Sequence, residues 1–160
     1  EQDILYYASN QAGGQGGMDI YYTYYDNRRD SWRKPRNLGR RINGTGDEIT
    51  PYYNQKEKKL FFSSTSFTGM GGLDIYASRG ELRRYAKPIN VGYPINSSVD
   101  DFYYSLRDDR ESGFFVSNRA GGFQMINETC CDDIYEFKRN DVIKIDMEGF
   151  VMLVGEEDYL

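Results

Sequence analysis

Runs of five or six residues rich in apolar and aromatic side chains, each closed by turn-forming residues, follow one another along the chain. In its middle third they span Glu48 to Tyr53, Lys59 to Ser64 and Leu73 to Ser78, with a weaker run near Ala86 to Val91. Runs of this length bounded by turn residues predict short strands. The polar stretch Asn54-Gln55-Lys56-Glu57-Lys58 predicts a hairpin tip between the first two, and Arg107 to Ser112 is its counterpart. The doublets Phe61-Phe62 and Phe114-Phe115 break the apolar/polar alternation. Such doublets predict strands buried on both faces.

The same strand text recurs. Leu5-Tyr6-Tyr7-Ala8-Ser9-Asn10 returns 55 residues later as Leu60-Phe61-Phe62-Ser63-Ser64-Thr65, and 53 residues after that as Gly113-Phe114-Phe115-Val116-Ser117-Asn118. A second landmark, Gly16-Gly17-Met18-Asp19-Ile20-Tyr21, is matched by Gly71-Gly72-Leu73-Asp74-Ile75-Tyr76 and by Cys131-Asp132-Asp133-Ile134-Tyr135. Trp32 to Gly39 and Tyr85 to Gly92 form a third, each with Lys-Pro and Asn inside it. Ile42-Asn43 with Asp47-Glu48, and Ile95-Asn96 with Asp100-Asp101, form a fourth. Four landmarks in one order at one period mark an internal structural repeat.

Four short antiparallel strands in roughly 53 residues match one blade of a β-propeller. The predicted fold class is therefore all-β, a partial ring of about 2.5 four-stranded blades. One blade, Glu48 to about Val91, is complete, with three strands before it and three after. Propellers close with four or more blades, so the remaining blades are expected outside this chain, in preference to a ring completed by another copy.

Composition narrows the chemistry. The 160 residues include no histidine, which removes imidazole-based triads and shuttles. Two cysteines cannot supply a four-thiolate zinc site, and no Asp-x-[Asp/Asn]-x-[Asp/Asn]-Gly loop is present, so neither metal nor cofactor is expected. With 15 Tyr, 9 Phe and 17 Gly, the chain favours strands and tight turns over helices. A net charge of −5 argues against nucleic acid as a partner. No apolar run reaches the length of a membrane span. The chain opens Glu1-Gln2-Asp3, which reads as a mature product or a piece of a longer protein.

The succession Leu5-Tyr6-Tyr7-Ala8-Ser9-Asn10, Gly17-Met18-Asp19-Ile20-Tyr21, Trp32, Pro35, Asn37-Leu38-Gly39, Ile42-Asn43, Asp47-Glu48 resembles the PD40, or WD40-like, propeller repeat. Gly69 to Tyr76, Asn90 to Ser97 and Ser117-Asn118-Arg119 resemble the version found in OmpA-family envelope proteins of the Bacteroidetes. The resemblance covers about residues 4–138. It implies a periplasmic, outer-membrane-associated lipoprotein whose protein partners lie in the cell envelope, including type IX secretion components. Peptidoglycan would be bound only by an OmpA-like domain absent from this chain. Residues 1–142 are expected to be the partial propeller. Residues 143–160 are expected to be a linker and the first strand of a carboxypeptidase-regulatory-like β-sandwich, around Met147 to Val154.

Asp19, Asp74 and Asp133 open matching strands after Gly-rich turns and are expected to accept turn amides. Trp32 and Tyr85 are expected to clamp the outer strand of each blade. The doublets Asp47-Glu48 and Asp100-Asp101 follow loops that would rim a central channel. Repeated carboxylates there could hold a cation or a basic peptide, against the plainer reading of turn capping or solvated charge. Cys130-Cys131 can form a strained vicinal disulfide, bond elsewhere or stay reduced, and a local structural staple is favoured over a redox function. Arg28-Arg29, Arg33-Lys34 and Arg40-Arg41 read as a solvated basic face. No catalytic residue is assigned. The functional expectation is a non-enzymatic interaction scaffold, with a propeller-type hydrolase fragment or a TolB-like peptide-docking module as alternatives.

Overall fold

The computed structural model describes residues 3–109, 111–122 and 131–139. Among them the chain is all-β: twelve strands and no helix, in three antiparallel sheets. Sheet I holds β1 (Ile4–Ser9), β2 (Asp19–Asp26), β3 (Ser31–Trp32) and β4 (Arg36–Asn37). Sheet II holds β5 (Glu48–Asn54), β6 (Lys59–Ser64), β7 (Asp74–Glu81), β8 (Arg84–Tyr85) and β9 (Ile89–Asn90). Sheet III holds β10 (Asp101–Leu106), β11 (Ser112–Ser117) and β12 (Asp133–Lys138). The segment read as linker and sandwich strand, 143–160, lies outside the described residues.

The repeat is visible as equivalent strands. β1, β6 and β11 occupy the same place in their sheets, as do β2, β7 and β12. β5 and β10 are the first strands of sheets II and III, pairing with β6 and β11. Each carries a bulge at the same step, with Thr50 and Tyr103 at positive φ, which bends the strand. Thr50 Oγ1 accepts the Tyr103 N–H at 3.3 Å, so consecutive first strands touch at their bulges.

The sheets stack face to face. Leu60 and Phe62 point into one core with Ile20, Tyr22, Leu38, Ile42, Tyr76 and Tyr85, while Phe61 points into another with Ile75, Tyr104 and Phe115. β6 is therefore buried on both faces, as its doublet predicts. The second doublet differs. Phe115 is buried, but Phe114 is half-buried under the Arg107 guanidinium, 4.7 Å from its ring centre. Sheet III has a described neighbour on one side only, so its other face, with Ile134, stands open.

The weak run near Ala86 to Val91 is not one strand. Only Ile89–Asn90 within it forms a strand, β9, while β8 precedes it at Arg84–Tyr85, and the two pair separately with β7 on either side of Lys87-Pro88. Proline has no N–H to give a ladder, and the Ala86 carbonyl is taken by Ser78 Oγ at 2.7 Å. Trp32 and Tyr85 are not equivalent either. Trp32 is half exposed and packs edge-on against Tyr25, whereas Tyr85 is buried in the core between sheets I and II. Neither works as the matched clamp that the shared sequence position suggested.

Tyrosines knit that interface. The Tyr85 hydroxyl donates to Tyr6 Oη at 3.0 Å, Tyr6 stacks on Tyr53 at 5.1 Å, and the Tyr53 hydroxyl donates to the Gly80 carbonyl. Burial raises all three phenols, Tyr53 to about 12 and Tyr85 further. In the unfolded chain these groups ionise near pH 10, before their folded counterparts. The unfolded state then binds fewer protons, and stability falls as pH rises. Urea midpoints are thus expected to hold up to about pH 10 and drop above it. Tyr53→Phe should flatten that slope.

Candidate functional site on the loop face

One end of all three sheets gathers the loops that carry the repeated acids. The chain reaches it through a turn at Gly39, whose carbonyl accepts the N–H groups of Ile42 and Asn43. Asn43 then acts as a one-residue strand. Its Oδ1 accepts the Ile20 N–H at 2.8 Å, and its amide donates to the Ile20 carbonyl at 3.0 Å and to Asn37 Oδ1 at 2.9 Å. Asn96 repeats this on Ile75 N–H, Ile75 carbonyl and Asn90 Oδ1, at 2.8, 2.8 and 2.7 Å. Both side chains are fully buried. A carboxamide is suited to this place because it offers a donor and an acceptor together, as a peptide group does.

The acidic doublets follow, and the structure divides their labour. Asp47 Oδ1 accepts the Met18 N–H at 2.7 Å, and Asp100 Oδ1 accepts the Leu73 N–H at 2.8 Å. The next residue reaches back to the same peptide: Glu48 N–H donates to the Met18 carbonyl at 2.6 Å, and Asp101 N–H to the Leu73 carbonyl at 2.7 Å. Each doublet thus staples its own sheet to the preceding one. The approach is close, because a Cβ at Gly17 would run into the Asp47 carboxylate and one at Gly72 into that of Asp100. The Gly-Gly of the second landmark is needed there.

Glu48 and Asp101 have no surface to offer a ligand. Both are 0% exposed. Glu48 accepts from Gly44 N–H and from Ser64 Oγ, each at 2.7 Å. Asp101 accepts from Ser97 N–H and Ser97 Oγ on one oxygen and from Arg119 on the other, at 2.6 Å. For Glu48 and Asp101 the bonds present are structural, while Asp47 and Asp100 are partly exposed and bond the neighbouring peptide through Oδ1. Among the described residues, no three Asp, Glu or Cys side chains gather where a metal ion could sit.

The strand-opening aspartates sit over their glycine turns. Asp19 accepts from Gln15 N–H, Gly16 N–H and Asn37 Nδ2, at 2.6, 3.2 and 2.6 Å. Asp74 accepts from Met70 and Gly71 N–H on Oδ2, while its buried Oδ1 has no partner. Asp133 lies against Gly122 in the same manner. Cys131 is disulfide-bonded. Its sequence neighbour Cys130 lies outside the described residues.

Two features have a role that the sequence did not assign. Arg119 donates to the carbonyls of Pro94 and Ile95 at 2.8 and 2.7 Å and to Ser117 Oγ at 3.0 Å, besides its bond to Asp101. Its guanidinium also lies 4.8 and 5.1 Å from the ring centres of Phe115 and Tyr135. The first interface has Ser66 at the equivalent position, so no repeat signal marked this arginine. The second feature is a cleft of about 780 Å³ at the opposite end of the sheets, between the β5–β6 hairpin and the β7–β8 turn. Arg36, Lys56, Arg79, Arg83 and Arg84 line it, and none is in an ion pair among the described residues. Lys58 pairs with Glu81 at 3.4 Å. Burial alone would raise the Glu57 carboxyl, but Lys59 and Arg139 outweigh it and hold it below the usual range. The cations come from three separate stretches of sequence, which is why no linear run announced them.

No family model, no curated protein and no solved structure matches the chain.

Proposed function

We propose that the chain is a non-enzymatic interaction scaffold built from propeller-type blades, part of an OmpA-family protein of the periplasm. In that setting it would link outer-membrane or type IX secretion components to peptidoglycan, the latter through a domain outside this chain. The observation that carries the reading is the use made of the repeated polar side chains. Asn43, Asp47 and Glu48, and again Asn96, Asp100 and Asp101, spend their hydrogen bonds inside the protein, holding sheet to sheet. A hydrolase needs carboxylates placed to meet a substrate, one as acid and one as base or nucleophile. Here the candidate acids are buried or bonded to backbone, which favours the scaffold over the hydrolase.

The docking alternative has an observation of its own in the basic cleft. Five cations in no ion pair among the described residues, beside the paired Glu57 and Glu81 of the same lining, make a local field that suits an acidic segment of a partner. A photo-crosslinking residue at Arg83 of the full-length protein, in intact cells, tests both. Crosslinks to envelope proteins that vanish with Arg79→Glu, Arg84→Glu are expected. Unchanged adducts would remove the cleft as the contact. Turnover of glycan or peptide substrates by the purified protein would overturn the non-enzymatic reading.

A further inference from the structure

Asn43 is followed by Gly44, and no other asparagine in the chain precedes a glycine. Asparagine before glycine is the pairing in which an amide side chain is chemically least durable. The next peptide nitrogen can attack the side-chain carbonyl carbon, and glycine has no Cβ to hinder the approach. Two separate demands of the fold place the pair here. The staple on Ile20 needs a carboxamide, which Asn43 supplies through Oδ1 and Nδ2 at 2.8 and 3.0 Å. The next residue must carry no side chain, since a Cβ on Gly44 would run into the Ser66 side chain. The second interface has Asn96 in the same place with the same three bonds, but Ser97 follows it.

The folded protein keeps the pair from that reaction. Asn43 is 1% exposed, and its carboxamide is held at both ends, Oδ1 by the Ile20 N–H and Nδ2 by the Ile20 carbonyl and Asn37 Oδ1. It cannot turn toward Gly44 without breaking these bonds. The Gly44 N–H, whose proton must leave before the nitrogen can attack, donates to the buried Glu48 Oε2 at 2.7 Å. A carboxylate at that place favours the N–H and opposes the anion that would attack. The three Asn43 bonds go together when loop 42–48 leaves β2.

We propose that Asn43 is a spontaneous modification site silenced by folding, and that its deamidation records opening between sheets I and II and makes that opening irreversible. In an opened chain hydroxide takes the Gly44 amide proton, and the nitrogen attacks Asn43 Cγ. The N–Cγ bond forms as the Cγ–Nδ2 bond breaks, and ammonia leaves with a proton from water, which restores the hydroxide. Water then opens the five-membered imide at either carbonyl, giving aspartate or iso-aspartate at position 43. Neither product rebuilds the staple. Aspartate keeps an acceptor for the Ile20 N–H, but it has no donor and sets a charge against the Ile20 carbonyl and Asn37 Oδ1. Iso-aspartate routes the main chain through the side chain, lengthening it by a methylene and displacing the Gly44 N–H from Glu48. The inference stands on these contacts alone and is independent of the function proposed above.

The test incubates the intact chain at mildly alkaline pH, folded and in concentrated urea. Mass spectrometry of its peptides and enzymatic methyl labelling of iso-aspartate follow the conversion. In urea the peptide holding Asn43 is expected to convert first, ahead of the one holding Asn96, and in the folded chain neither should convert on that timescale. Phe62→Ala weakens the core between sheets I and II. It should speed conversion of the folded chain at Asn43 by about a hundredfold or more, since the rate follows the open fraction and each tenfold corresponds to about 1.4 kcal/mol. Chains converted at position 43, separated by their added charge, should unfold at a lower urea midpoint than unconverted ones. Equal rates at Asn43 in folded and unfolded chains, or no lead of Asn43 over Asn96 in urea, would overturn the proposal. So would an unchanged rate in Phe62→Ala, or converted chains whose midpoint is unchanged.

Discussion

Asn43→Ala is expected to destabilise the chain by about 3 kcal/mol, a large effect for one small polar side chain. Three hydrogen bonds are lost, but the loss itself is the smaller part. The Ile20 N–H is left without a partner in a place where Ile20 is 0% exposed, while its carbonyl keeps the Leu38 N–H at 3.1 Å. A buried orphan costs about 1–3 kcal/mol, and the truncated side chain leaves no polar atom to take the place of the Asn43 Oδ1. Asn43→Asp should do little better, because a carboxylate keeps the acceptor, loses both donors and faces the Ile20 carbonyl. Asn96→Ala should cost about as much at the other interface, where the Ile75 N–H is orphaned and its carbonyl keeps the Val91 N–H. Urea unfolding at neutral pH measures all three, with midpoints moving and the denaturant slope unchanged if the folded state keeps its compactness.

Phe62→Ala is expected to cost about 3–5 kcal/mol, the range for emptying a filled core position. Its ring is enclosed between sheets I and II, 6.1 Å from Tyr76 and 6.3 Å from Phe67. Phe114→Ala makes the useful comparison, because the two doublets look alike in sequence. Phe114 lies on the open side of sheet III, and its removal should cost well under half as much. Equal losses in the two variants would mean that something covers that side in solution.

These two pairs also show what the sequence could and could not disclose. The period, the strand positions and the two-sided burial of β6 were legible because a repeated core leaves a repeated pattern of apolar residues. The asymmetry of Phe114 was not, since burial depends on a neighbour rather than on the residue. The doublets Asp47-Glu48 and Asp100-Asp101 were found by their spacing, yet spacing does not say whether an acid faces water or a peptide N–H. That choice is set by Gly17 and Gly72, which let the backbone of the preceding sheet come close enough to be bonded. Arg119 was visible as part of Ser117-Asn118-Arg119, but its role was not, because it substitutes for a serine at one interface only. Tyr85 and Trp32 misled in the opposite direction, sharing a position in the repeat while one packs inward and the other outward.

The staple between sheets has a consequence for how the molecule comes apart. The same few bonds, from an acid and its following N–H to one peptide of the previous sheet, couple I to II and II to III. Stability in such an arrangement is close to a sum of unit terms and nearest-neighbour terms, as in a one-dimensional lattice. The central unit is coupled on two sides and the outer ones on a single side. Melting should then proceed by fraying from the ends, with β6 the last strand to open, and each added unit would deepen the protection of those inside it. Cooperativity becomes a matter of how many units are joined.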